Sequence, residues 1–242
     1  ETRDTLAITR GLMMKKVLGL MLLLATGYAS AAEVSGNVTL ASDYRFRGIS
    51  QLEGGISPAI QGGFDVAFDN GLYAGTWASN VNFTGSAIEL DVYGGWAGDI
   101  TENLNLDVGY LYYAYPKDSS DDLDYYEFYT KLTWIGITFG AAYSPDYFAE
   151  TGKFGYFSGD YSWGFAENFS LDLHLGYNVF EDEDFLSDDT DSYVDYSVGV
   201  STSYFDLDWS AAWVGNSLDD DEYFGLDDLI DDTLVLSVSK SL

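Results

Sequence analysis

From Val34 to Leu242, apolar and polar residues alternate in stretches of about ten, separated by connections that are in turn long and short. Twelve such stretches can be read. The first runs from Val34 to Arg47, with Val34, Val38, Leu40, Tyr44 and Phe46 on one face and Asn37, Thr39, Asp43, Arg45 and Arg47 on the other. The second carries Ile60, Phe64, Val66 and Phe68 and ends in Asp69-Asn70-Gly71, a hairpin signature. The third sets out Tyr73, Gly75 and Trp77. In the fourth, Ile88, Leu90, Val92 and Trp96 oppose Glu89, Asp91 and Tyr93, and in the fifth Leu104, Leu106, Val108, Tyr110 and Tyr112 oppose Asp107. The sixth sets Tyr126, Phe128, Leu132 and Trp134 against Glu127, Tyr129, Lys131 and Thr133.

Ile137, Phe139, Ala141 and Tyr143 mark the seventh stretch, and the eighth, around 154–163, has aromatics on both parities. The ninth alternates most cleanly, Leu171 to Val179 against Asp172, His174, Gly176 and Asn178. The tenth sets Val194, Tyr196, Val198 and Val200 against Asp195, Ser197 and Ser201. The eleventh sets Phe205 to Trp213 against Asp206, Asp208 and Ser210. Leu234, Leu236 and Val238 lead to the end of the chain. A period of two over so many segments excludes amphipathic helices.

Alternation alone also suits a soluble sandwich or a lipocalin-like barrel with the apolar face inward. Two features exclude these. The apolar face is rich in Tyr, Trp and Phe near strand ends, where interfacial girdles sit. The polar face carries ionisable groups in mid-strand, and burying Asp107, Glu127, Lys131, Asp172 and Asp195 in a dry core would cost several kcal/mol each unless paired. A wet lumen accepts them. The prediction is an all-β fold: a closed antiparallel transmembrane β-barrel of about 12 strands in an up-and-down meander.

The connections orient it. Long ones fall at 48–57, 80–86, 114–124, 144–152, 181–191 and 215–231. Short ones fall at 69–71, 98–103, 135–136, 166–168 and 203–204. With both termini in the periplasm, the long connections face outward, as in bacterial outer-membrane barrels.

The first 32 residues stand apart from this pattern. Residues 13–32 read as a secretory signal peptide, with Lys15 and Lys16 before the apolar run 17–24 and small residues at 29–32, so cleavage is expected after Ala31 or Ala32. Residues 1–12 read as upstream, non-native leader, and 33–242 as the barrel. The apolar run is too short to span a bilayer as a helix, and the chain has no cysteine, which excludes a disulfide scaffold.

From Glu33 onward six basic residues stand against 38 acidic ones. That balance repels nucleic acid and attracts cations. An aromatic content of 17% argues against acidic disorder.

Residues 41–51, Ala-Ser-Asp-Tyr-Arg-Phe-Arg-Gly-Ile-Ser-Gln, resemble the opening strand of the TorF porin family. Residues 71–80, 89–95 and the closing 237–242 are similar to that family too. The resemblance covers the whole chain after the signal, most specifically its first 65 residues. It implies an outer-membrane barrel, and supports location more firmly than transport. The alternating ending also has the form of the signal read by the barrel-assembly machinery. Leu242 stands where an aromatic is usual, and Lys240 takes an apolar position from which it can snorkel to the interface.

Parity places Asp43, Arg45, Arg47, Asp65, Glu89, Asp91, Asp107, Glu127, Lys131, His174, Asp195, Asp206 and Asp208 toward the lumen. Twelve strands fall between the filled eight-stranded barrel and the open porin of 16 to 18. The leading expectation is therefore a narrow porin passing small cationic or neutral hydrophilic solutes. Arg45 and Arg47 either form a basic wall at a constriction or pair with neighbouring carboxylates to hold the lumen together.

A non-conducting surface barrel with cation-binding or adhesive acidic loops is the second expectation. The runs 181–184 and 219–222 lack the spaced ligands and Gly of a Ca²⁺ loop, and read as solvated. An outer-membrane hydrolase is the third: His174, the one histidine, lies beside Asp172 but away from the outer rim. No catalytic residue, metal or cofactor is expected. The expected partners are outer-membrane lipid and lipopolysaccharide, the barrel-assembly machinery and small solutes, with no nucleic acid.

Overall fold

The computed structural model describes residues 32–52, 57–83, 86–116, 123–181, 186, 190–219, 222–223 and 226–242. The leader and signal before Ala32, and parts of the acidic runs 181–184 and 219–222, lie outside the described residues. Of the chain's two compact units, Glu1–Ala32 and Glu33–Leu242, the second is the barrel.

The strands are β1 (Ala32–Ala41), β2 (Arg45–Phe46), β3 (Ile49–Ser50), β4 (Ala59–Phe68), β5 (Leu72–Phe83), β6 (Ser86–Thr101) and β7 (Leu104–Ala114). They continue with β8 (Tyr125–Trp134), β9 (Ile137–Ser144), β10 (Phe154–Ala166), β11 (Phe169–Phe180), β12 (Ser192–Tyr204), β13 (Leu207–Asn216) and β14 (Thr233–Ser241). Among the described residues, twelve of these close into one antiparallel barrel, all but β2 and β3. Each strand pairs with its chain neighbours, and β14 returns to β1 with Asn37 opposite Ser241 and Ala41 opposite Ser237. Among the described residues, no helix is long and apolar enough to cross a membrane.

The short turns carry the conformations their sequences require. Ile135 (φ 46°) and Gly136 (φ 82°) join β8 to β9, and Phe205 (φ 57°) and Asp206 (φ 56°) join β12 to β13. Both central residues are left-handed in each, which matches the twist of the flanking strands. Phe205 and Asp206 were expected within the eleventh stretch; Asp206 is therefore a turn residue and leaves the lumen set. Its carbonyl instead accepts from Lys240 Nζ at 2.9 Å, so Lys240 bonds at the barrel's end while its stem covers apolar surface.

The outside of the barrel is an apolar belt. Leu40, Phe64, Phe128, Phe139, Phe157, Leu175, Val198 and Leu236 all point outward and are more than half exposed. A soluble monomer does not present apolar surface on this scale, and a lipid-solvated barrel does. Toward the short-turn end, Trp163, Phe165 and Phe169 stack in series at 6.1 Å, and Tyr204 meets Phe205 at 4.2 Å.

Two readings of parity change. The first stretch does not run to Arg47: β1 stops at Ala41, and 42–52 leaves the strand ladder. Tyr73, Gly75 and Trp77 of β5 face the lumen, where Tyr73 bonds to Asp107 and Trp77 packs on Tyr44 at 5.4 Å. On β10, Phe154 and Tyr156 point inward and Phe157 outward, which resolves the mixed parity of the eighth stretch.

Candidate functional site

After β1, residues 42–52 fold back into the barrel. Its centre is the two-stranded hairpin β2–β3, with Phe46 opposite Ile49 and the two-residue turn Arg47-Gly48 between them. Arg47 (φ 49°) and Gly48 (φ 82°) are both left-handed. For Arg47 that conformation costs about 1 kcal/mol, so its surroundings must hold it there. Gly48 lies against the wall: a Cβ at this position would stand 2.7 Å from the Gly215 carbonyl oxygen and 3.0 Å from Asp195 Cβ. Only glycine fits.

The hairpin is bonded around much of the circumference. Tyr44 donates to Glu89 on β6 at 2.6 Å, and Tyr115 donates to the other oxygen of the same carboxylate at 2.7 Å. Phe46 meets the Tyr113 ring of β7 edge-on at 5.8 Å. Tyr193 of β12 donates to the Arg47 carbonyl at 3.0 Å, and Asn216 of β13 to the Gly48 carbonyl at 3.2 Å. At the base, Asp43 accepts from Arg45 Nε at 2.5 Å and from Ser50 at 2.7 Å. Arg45 also donates to the carbonyls of Leu229 (3.0 Å) and Asp231 (2.8 Å), tying the hairpin to the last long connection.

Arg47 makes the densest contacts. Its two terminal nitrogens donate to the two oxygens of Glu127 on β8 at 2.8 and 2.9 Å, the bidentate arrangement that suits guanidinium and carboxylate. The guanidinium carbon lies 4.6 Å from the Phe46 and Phe154 ring centres and 4.3 Å from that of Tyr156. Both partners of the pair are almost wholly buried.

Above the hairpin, toward the long connections, the lumen is filled. Tyr113, Tyr125, Tyr147, Phe154, Phe180 and Tyr193 form one buried cluster with Leu123, Leu186, Leu229 and Ile230 from the connections. Tyr113 stacks on Tyr125 at 4.3 Å and Tyr147 on Phe154 at 4.1 Å. At the rim outside the membrane-spanning strands, Lys153 and Glu181 pair at 2.5 Å; that bond holds the carboxyl below and the ammonium above its ordinary range.

Two cavities adjoin the hairpin, and a third lies around His174 without touching it. The largest, about 540 Å³, is lined by Asp43, Arg45, Arg47, Tyr156, His174 and Asp195 among others. A second, about 320 Å³, is lined by Arg47, Tyr113, Glu127, Tyr129, Lys131 and Tyr156. A third, about 380 Å³, is lined by Thr138, Asp160, Asp172, His174 and Ser197. Arg47 and Tyr156 line both of the first two and stand between them.

The predicted lumen residues therefore divide. Asp43, Arg45 and Arg47 face the interior from the hairpin rather than from a strand. Glu89, Asp91 and Glu127 are buried on the wall behind it, and one oxygen of Asp91, 7% exposed, has no hydrogen-bond partner among the described residues. Asp107 sits with Tyr73 in a group that includes Tyr129, and lies directly across from Lys131 in the β7–β8 register. Asp65 accepts from Tyr93 at 2.5 Å. Asp208 accepts from Ser203 at 2.5 Å near the short turn.

His174 bridges two carboxylates, Nδ1 to Asp160 at 2.6 Å and Nε2 to Asp195 at 2.8 Å, with Tyr156 3.0 Å from Nε2. A hydrolase triad needs a nucleophilic hydroxyl on one of those nitrogens, and here both meet acids. Asp172 accepts from Ser162 and Ser201 instead, each at 2.6 Å.

Sequence reading missed Tyr44, Phe154, Tyr156 and Asp160. For the last three a signal existed: 154, 156, 158, 160 and 162 share a parity and include every polar residue of that stretch up to Ser162 except Tyr161.

Residues 25–242 match the family described as "Bacterial protein of unknown function (Gcw_chp)". The chain belongs to the Gcw_chp family. No curated protein matches it. Among solved structures, this Gcw_chp chain is similar to the KdgM porin, at 11% identity, 86% of this chain, 99% of that one and a TM-score of 0.55. A second structure of the KdgM porin, in complex with disordered oligogalacturonate, gives 10% identity, 88% and 99% coverage and the same score. The NanC porin is similar over 86% of this chain and 98% of that one, at 13% identity and a TM-score of 0.51. At such identities the likeness shows the fold.

Proposed function

We propose that this barrel is an outer-membrane channel for small hydrophilic solutes, cationic or neutral, and that the hairpin at 43–51 closes it. The observation that carries the reading is the set of cavities inside a lipid-faced barrel, lined in part by ionisable side chains, two of them adjoining a segment outside the strand ladder. A hairpin can withdraw without breaking any inter-strand bond of the barrel.

The TorF resemblance of 41–51 and the porin names of the structural neighbours support the same reading. Selectivity is argued from this chain alone. Lumen-facing Asp65, Asp107, Asp160, Asp172 and Asp208 far outweigh Lys131 below the hairpin, so cations are concentrated and anions repelled. The KdgM complex holds a polyanion, and an acid-lined lumen does not suit such a solute. In this reading the signal at 13–32 directs export, the assembly machinery reads the last strand, and lipid and lipopolysaccharide meet the outer belt.

Planar-bilayer recording tests it with two proteins: the wild type, and a barrel in which 44–51 is replaced by a short Gly-Ser linker. Intermittent wild-type conductance and steady conductance of the shortened barrel are expected. Silence from both sinks the channel reading. One observation favours a second reading, a closed surface barrel: the apolar cluster roofed by Leu123, Leu186, Leu229 and Ile230. Silence from both proteins would select it.

A further inference from the structure

We infer that Glu127, Phe154 and Tyr156 form a guanidinium-binding seat on the barrel wall, occupied here by the chain's own Arg47 and available to guanidinium-bearing solutes when the hairpin withdraws. As a statement about solutes this rests on the channel reading above; as a statement about binding it does not.

The contacts fit one ligand chemistry. A planar cation is held edge-on by both oxygens of one carboxylate and face-on by aromatic rings at 4.3 and 4.6 Å, all from β8 and β10. Phe46, the third ring, belongs to the hairpin and leaves with it. A small hydrated cation or an ammonium group cannot use two coplanar acceptors and the ring faces together, whereas guanidinium is flat and weakly hydrated.

A latch alone would not require what surrounds the pair. Asp91, on the inward face of β6, keeps a buried oxygen without a partner among the described residues. With Arg47 gone, Glu127 would lose both charge-assisted bonds of its carboxylate. The seat is also reachable, because Arg47 lines two cavities, of about 540 and 320 Å³. Removing its head joins them.

The test uses Arg47→Ala in detergent, titrated with millimolar methylguanidinium chloride, against equal NaCl and ethylammonium chloride. Methylguanidinium should raise the thermal unfolding midpoint of Arg47→Ala, by mass action on a vacant site. It should leave the wild type and Arg47→Ala with Glu127→Gln unmoved. If Arg47→Ala does not refold alone, methylguanidinium in the refolding buffer should restore the folded, heat-modifiable band. Neither shift nor rescue, or equal shifts in all three proteins or with all three salts, overturns the seat.

Solute class is tested on wild-type bilayers. Agmatine should raise the frequency of openings more than putrescine does, and Glu127→Gln should abolish the difference. Equal responses to the two amines overturn the solute claim. Silent barrels with a methylguanidinium shift overturn the channel reading alone, and conducting barrels without one overturn the seat alone.

Discussion

Arg47 shows how one side chain can hold a segment in an unfavourable conformation. Its left-handed backbone is disfavoured, and the bidentate bond to Glu127 with the ring contacts offsets that cost. Breaking a buried pair by neutralising one partner leaves an uncompensated charge, so Glu127→Gln should destabilise the folded protein by about 3 kcal/mol, read as a lower urea midpoint. Arg47→Lys should recover little of the loss, because an ammonium cannot reproduce the fork. Tyr44→Phe is milder. It leaves the buried Glu89 with the Tyr115 bond alone of the two, and should cost about 1–2 kcal/mol in the same assay. Parity alone assigns Glu89, Asp91, Glu127 and Asp195 to the inner face, and all four are buried. It could not say that Glu127 meets a residue eighty positions earlier, because alternation carries no information about contacts across the lumen.

At the scale of elements, the hairpin and the strand before it are the instructive case. In sequence the alternation of β1 continues unbroken to Arg47, yet pairing with β14 ends at Ala41. The reason lies in Asp43, which accepts from Arg45 and Ser50 and so binds the turning chain to itself. Gly48 then fits where a side chain would strike the Gly215 carbonyl. Gly48→Val should lift the hairpin from the wall. Arg45 and Arg47 are trypsin sites, and limited proteolysis in detergent should cut the variant between 45 and 48 while the wild type resists. An uncut variant would show that the hairpin tolerates the clash without moving. Strands β4 to β14, by contrast, were nearly all legible, because each turns one face to lipid and the other to the barrel interior, residue by residue.

For the whole molecule, charge and shape act together. The described acids below the hairpin line a narrow lumen with low-dielectric walls, which focuses their field. Under a KCl gradient, the reversal potential of the hairpin-shortened barrel should take the sign of cation preference, and should shrink as salt rises and screens the wall. Asp107→Asn with Asp160→Asn should reduce it in the same recording. A potential of the opposite sign would overturn the cation preference.

What the sequence determined by itself is what repeats locally: twelve strands, the faces of most of them, most of the short turns, and the parity of the acidic side chains. A period of two is a property of the extended backbone and of the two solvents it separates, so it can be read without knowing which strand lies opposite. Tertiary structure alone decided that the first long connection enters the barrel, that aromatics fill one end, and that Arg47 rather than a solute occupies the carboxylate wall. Those outcomes depend on partners such as Arg47 and Tyr193, 146 residues apart, which meet only once the barrel has closed.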